Sequence, residues 1–170
     1  MIRRFALASA ILITAGYAAP AMAGTATSNI TVSTTVIHSC SISTTPLAFG
    51  DYDPIVTHAT THLDATATVT TTCSNGGGTY IRLGQGANAA TGSTNVSPER
   101  RLKSSINEYI NYNIYQNSGR TTIWGNTLDT SPNPMGNGSA QVTTIYGRIP
   151  AGQTADDTTY SDTVVATVEW

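Results

Sequence analysis

The residues able to do chemistry are few. His58-Ala-Thr-Thr-His62 has the i, i+4 spacing that holds zinc on a helix. Thr60, Thr61 and the preceding Asp53-Pro54 favour a loop or strand, where side chains at that spacing need not converge. No Glu stands between the two histidines to act as a metalloprotease base, and no third ligand is apparent. His58 and His62 are therefore expected to be solvated loop residues. His38, two positions from Cys40, is expected to be a half-buried packing residue. The ten acidic residues fall mostly in turns or on polar faces. A glycosidase pair needs carboxylates about 5–10 Å apart in a cleft, and the sequence offers no sign of one. Gly84-Gln-Gly86 lacks the following helix of a nucleotide cradle, and no G-x-S-x-G elbow is present. The triplets at Asn29, Asn95 and Asn137 fit a glycosylation site, as a Thr- and Asn-rich chain does by chance. These patterns argue against an enzyme and imply no cofactor and no metal.

What remains is the pair Cys40 and Cys73, and its chemistry depends on the compartment. Arg3 and Arg4 precede an apolar run from Phe5, and the small residues Ala21-Met22-Ala23 follow. That order is a secretory signal peptide, residues 1–23, with cleavage expected after Ala23. The run is too short for a membrane span of about 20 residues, so no direct membrane insertion is expected. In an exported chain an even cysteine count predicts one disulfide, Cys40–Cys73. Closing a loop of that separation is worth roughly 3–4 kcal/mol in the chain-entropy picture. A redox or metal role would require a Cys-x-x-Cys pair that is absent.

Length and composition narrow the class further. The 170 residues and 17.7 kDa suit a single domain. Without Arg3 and Arg4, six basic residues face ten acidic ones, a poor match for nucleic acid or an anionic membrane surface. Charged residues make up only 11 %, and Thr, Ser, Gly and Asn crowd the chain after residue 24. Thr is stiff at χ1 and suits strands, while Gly and Asn accept tight-turn dihedrals. A helical bundle, a multidomain enzyme and a transmembrane protein are excluded.

The elements that must position these residues are strands, because the apolar period is two and never 3.6. Ala26, Ser28, Ile30, Val32, Thr34, Val36, His38, Cys40 and Ile42 share one face, which divides into strands over about 26–34 and 36–43. Further rows run from Leu63 to Cys73, through Ile81 and Leu83, through Ile110, Tyr112 and Ile114, and through Val142, Thr144 and Tyr146. The last comprises Tyr160, Asp162, Val164, Ala166, Val168 and Trp170. Asp51-Tyr-Asp-Pro54, Ser74-Asn-Gly-Gly-Gly78 and Ser131-Pro-Asn-Pro134 supply turns, and residues 84–98 and 117–138 read as polar surface loops. About seven short strands imply an antiparallel β-sandwich.

A sandwich must manage its edges. The final row ends at Trp170 with nothing after it to pair, while residues 26–34 form an extra alternating segment at the other end. On the residues alone two readings stay open. In one the sandwich is closed and its first strand pairs within its own domain. In the other it is incomplete, and the segment is a strand meant for a neighbour. A head-to-tail contact that does not close makes a fibre.

Several stretches resemble the spore coat protein U domain family, which includes the subunits of archaic chaperone–usher pili. Cys40-Ser-Ile-Ser with Leu47-Ala-Phe-Gly-Asp-Tyr-Asp-Pro54 is similar to the family's first Cys strand and its turn. Thr70-Thr-Thr-Cys73 with Tyr80-Ile-Arg-Leu-Gly84 resembles the second. Arg101-Leu102, Tyr112-Asn-Ile-Tyr115 and Trp124-Gly125 fit the middle. Tyr146-Gly-Arg-Ile-Pro-Ala-Gly-Gln153 and Tyr160 to Trp170 fit the C-terminal signature, with Thr154-Ala-Asp-Asp-Thr158 departing from it in a turn. The resemblance implies an all-β, incomplete immunoglobulin-like (pilin-type) antiparallel β-sandwich with an N-terminal donor strand. It divides the chain into a donor segment, 24–35, and a pilin domain, 36–170. Ala26, Ser28, Ile30, Val32 and Thr34 would be donor residues, with Ile30 and Val32 as plugs. Ile42, Val164, Ala166 and Val168 would line the acceptor groove, and Trp170 would contact a chaperone. The implied partners are a periplasmic chaperone, an outer-membrane usher and neighbouring pilin subunits. The implied product is a cell-surface pilus serving adhesion and biofilm formation. A non-polymeric coat or matrix protein and a sugar-binding tip adhesin are the alternatives; a tip subunit generally carries two domains, and one is expected here.

Overall fold

The computed structural model describes residues 22–170, so the signal peptide read over 1–23 falls almost wholly outside the described residues. Residues up to Thr35 form a unit apart from Val36–Trp170. In the first, residues 22–35 have no regular secondary structure. Ile30 and Val32 are 87 % and 89 % exposed there, although their alternation is that of a strand. Strands over 26–34 and 36–43 are thus not formed as such; the first paired residues are Cys40–Thr44.

The second unit is an antiparallel sandwich of eight strands, β1 (Cys40–Thr44), β2 (Leu63–Cys73), β3 (Tyr80–Leu83), β4 (Arg100–Ser104), β5 (Tyr109–Tyr115), β6 (Ala140–Ile149), β7 (Tyr160–Ser161) and β8 (Ala166–Glu169). One sheet has the order β1-β2-β6-β5-β4-β7, and β3 pairs with β8 in the other. The row from Leu63 to Cys73 forms as read, burying Ala67, Val69, Thr71 and Cys73 as the period of two requires. In β6 the expected parity is reversed. Val142 is exposed, and the buried row is Ile145, Gly147 and Ile149. Gly147 belongs there because Leu47 and Phe49 crowd its backbone, leaving an added Cβ 2.8 Å from both side chains. The C-terminal row divides: β7 pairs with β4, and the chain crosses to the second sheet before β8.

The core lies between the sheets, around Val69, Ile81, Leu83, Ile110, Ile114, Trp124, Ile145 and Ile149. Residues 117–138 form a loop holding a single 3-10 turn, Leu128–Thr130. That loop is not all surface, for Trp124 is fully buried and its indole N–H donates to the Ile81 carbonyl at 2.6 Å. The loop also closes the outer edge of β3: the amides of Thr79, Ile81 and Leu83 donate to Pro134, Pro132 and Gly125 carbonyls.

Candidate functional site: an open strand edge above an apolar crevice

Among the described residues four strands stand at sheet edges, β1 and β7 in one sheet and β3 and β8 in the other, and the 117–138 loop covers that of β3. β1 is paired only with β2, and β8 only with β3. Residues just before β8 continue the same one-sided pairing, since Gly84 and Ala87 amides donate to the carbonyls of Val165 and Thr163. The opposite edge of residues 163–169 is therefore a row of main-chain groups available to an added strand.

Beside that edge lies a crevice of about 270 Å³, bordered by residues 44–49 on one side and 162–166 on the other. Its floor is core: Leu83, Leu102, Tyr112, Ile114 and Ile145. Phe49 meets the Tyr112 ring edge-on, 6.0 Å between centroids. Of the four residues expected to line an acceptor groove, Val164 and Ala166 border this crevice. Ile42 packs against the core, and Val168 sits opposite Ile81 in the β3–β8 ladder, both outside the crevice. Leu47, Phe49 and Tyr112 take the remaining wall and were missed because they lie outside the first and last strands.

One end of the crevice is polar. Asp162 lines it; its Oδ2 accepts from the Tyr112 hydroxyl at 2.8 Å, and its Oδ1 from the Asn88 amide and side chain, each at 3.1 Å. Burial, then the hydrogen bond to Asp162, push the Tyr112 phenol far above its ordinary value, so it stays a donor. Behind them Arg100 is 1 % exposed. It donates to the carbonyls of Gly84, Leu83 and Trp124 at 2.9–3.0 Å. Burial pushes its guanidinium down to about 10, still protonated at neutral pH. Sequence reading passed over Arg100, because Arg-Arg-Leu-Lys-Ser carries no apolar alternation that would mark its strand.

Cys40 and Cys73 are directly opposed in the β1–β2 ladder, 4.1 Å between Cα atoms, and are disulfide-bonded. His62 is exposed, but His58 is not the solvated residue expected. It is buried, stacks on Tyr52 with centroids 5.0 Å apart, and its Nδ1 accepts the Asp53 amide at 2.8 Å. The Tyr52 hydroxyl donates to the Pro150 carbonyl and accepts from the Gln153 amide. The turn at 49–54 is thereby tied to the segment ending at Gln153. His38 is half-buried, and its carbonyl accepts the indole N–H of Trp170 at 3.1 Å, so Trp170 braces the entry to β1. Among the described residues no group of three His, Cys, Asp or Glu is placed to hold a metal ion.

Residues 26–167 match the model of the Spore Coat Protein U domain family. The chain belongs to that family. A curated relative, Protein U of Myxococcus xanthus, is 37 % identical over 156 residues, which is 88 % of this chain and 87 % of that protein. Among solved structures, a chain of the CsuC–CsuE chaperone–tip adhesion subunit pre-assembly complex, from the archaic chaperone–usher Csu pili of Acinetobacter baumannii, matches with a TM-score of 0.55 at 23 % identity. The match covers 80 % of this spore coat U-type chain and 40 % of the solved one. At that identity the likeness is one of fold, and the fold is pilin-like.

Proposed function

We propose that this chain is a structural subunit of a surface pilus built by donor-strand complementation. A periplasmic chaperone first lends a strand to the open edge at 163–169. At an outer-membrane usher the donor segment of the next subunit, Ala26 to Thr34, replaces it. The fibre serves adhesion and biofilm formation. The observation that carries this reading is an unpaired β8 edge above an apolar crevice, in a chain whose alternating segment leaves Ile30 and Val32 exposed. Seating those two side chains is worth about 1.5–3 kcal/mol each, before the added main-chain hydrogen bonds. The nine-residue segment, about 30 Å when extended, is long enough to run the whole edge. Trp170, 55 % exposed at the end of β8, supports a chaperone contact there.

The decisive experiment replaces Ile30 and Val32 by Asp in the cells that make the protein. The chaperone complex should persist while detergent-resistant multimer ladders disappear; ladders that survive overturn the donor assignment. The family's description as a spore coat domain favours a second reading, a non-polymeric coat protein. Under it the unaltered chain would be recovered as a monomer.

A further inference from the structure

The polar end of the crevice limits how a strand can enter. Asp162, Val164 and Ala166 alternate along one edge and all line the crevice, whereas Val168 does not. The donor segment has its own order on one face: Ser28, Ile30, Val32, Thr34, Val36. Residues directly opposite in an antiparallel pair project to the same face, so the two orders can be compared. We propose that residues 26–34 of a second copy lie antiparallel to β8 and the residues leading into it, in the register that sets Thr34 against Asp162, Val32 against Val164 and Ile30 against Ala166. The inference rests on the strand-donation reading above.

Physical chemistry disfavours the neighbouring registers. Sliding the donor by two residues one way puts Val32 over the Asp162 carboxylate; sliding it the other way puts Val36 there. Either would strip water from a charged group without returning a hydrogen bond. A shift of one residue turns the polar row of Thr31 and Ser33 inward and sends Ile30 and Val32 back to solvent. In the proposed register the Thr34 hydroxyl donates to Asp162. Oδ1 already accepts two hydrogen bonds, but Oδ2 accepts only one and has a lone pair to offer. A parallel arrangement with Ser28 at Asp162 would also satisfy the carboxylate. It is disfavoured because parallel pairing is slightly weaker per residue, and every named strand pair here is antiparallel.

Disulfide trapping in the cells that make the protein tests this directly. The double variant Val32→Cys with Val164→Cys should give ladders that survive boiling in detergent and collapse on reduction. The pair Ile30→Cys with Val164→Cys, which reports a shifted or a parallel strand, should not, and neither should the single variants. Equal or greater trapping by the second pair overturns the register while leaving strand donation standing. So do ordinary ladders with no covalent trapping by either pair. Absence of any multimer from the unaltered chain overturns strand donation itself. Thr34→Val should reduce ladder yield about tenfold, as expected for a lost hydrogen bond to a charged group, and Thr34→Ser should restore it. Unchanged yield with Val at that position overturns the role given to Asp162.

Discussion

Arg100 is a buried guanidinium whose donors are only partly used, for its Nη1 is buried with no hydrogen-bond partner. It spends its Nε–H and an Nη2 group on three main-chain carbonyls. Arg100→Met should therefore cost about 3–5 kcal/mol, read from the urea midpoint, because those carbonyls would be buried without donors. The opposite sign is expected at Thr71. Its hydroxyl is buried with no hydrogen-bond partner, so Thr71→Val, which keeps the shape, should stabilise by about 1 kcal/mol. Asp64 sets an acid response. The Arg148 fork bonds both its oxygens, at 2.7 and 2.9 Å, and holds the carboxyl below its ordinary value. A carboxylate held low in the folded chain contributes fully above its unfolded value, and that contribution fades as pH falls through the folded one. Thermal melts should thus show Asp64→Asn losing less stability than the unaltered chain on going from about pH 5 to pH 2.

Among the elements, legibility followed side-chain size and burial. β2 was readable to the residue because it is long and one face is buried almost throughout. β4 was invisible, since Arg-Arg-Leu-Lys-Ser carries no apolar alternation and is held by neighbours on both sides. β6 misled because Gly147 occupies the inner row while Val142 occupies the outer one. The C-terminal row read as one strand because alternation persists through a change of sheet. Of the crevice, Val164 and Ala166 were named through the family resemblance; Leu47, Phe49 and Tyr112 were not, since convergence from separate segments leaves no local pattern. His58 was misread for the same reason, its stacking partner lying six positions earlier around a turn. The disulfide carries a prediction of its own. β1 is an edge strand held laterally by β2 alone, so reduction of Cys40–Cys73 should speed amide exchange in residues 40–44 first. The accompanying loss of global stability should be about 3–4 kcal/mol.

For the molecule as a whole, the sandwich class followed from composition and turn spacing, but its incompleteness did not. Nothing in a run of alternating residues states which edge it will find, and residues 26–34 alternate as a strand does while Ile30 and Val32 stay exposed. An open β8 edge and an uncovered apolar crevice make the isolated chain prone to association. Expression alone should give mostly aggregate. Appending a second copy of residues 24–35 through a flexible linker after Trp170 should yield soluble monomer, measured by size exclusion.

The disulfide also determines where tension goes. Traction on the chain ahead of residue 36 meets the hydrogen bonds of His38 and Ser39 and then Cys40, the first residue of a strand that would otherwise unzip one hydrogen bond at a time. The bridge hands that load to Cys73, at the end of the eleven-residue β2, which is clamped by β1 and β6. The load then meets a strand of eleven residues instead of one of five, and the stretch between the cysteines, 33 apart in sequence, cannot pay out while the bridge holds.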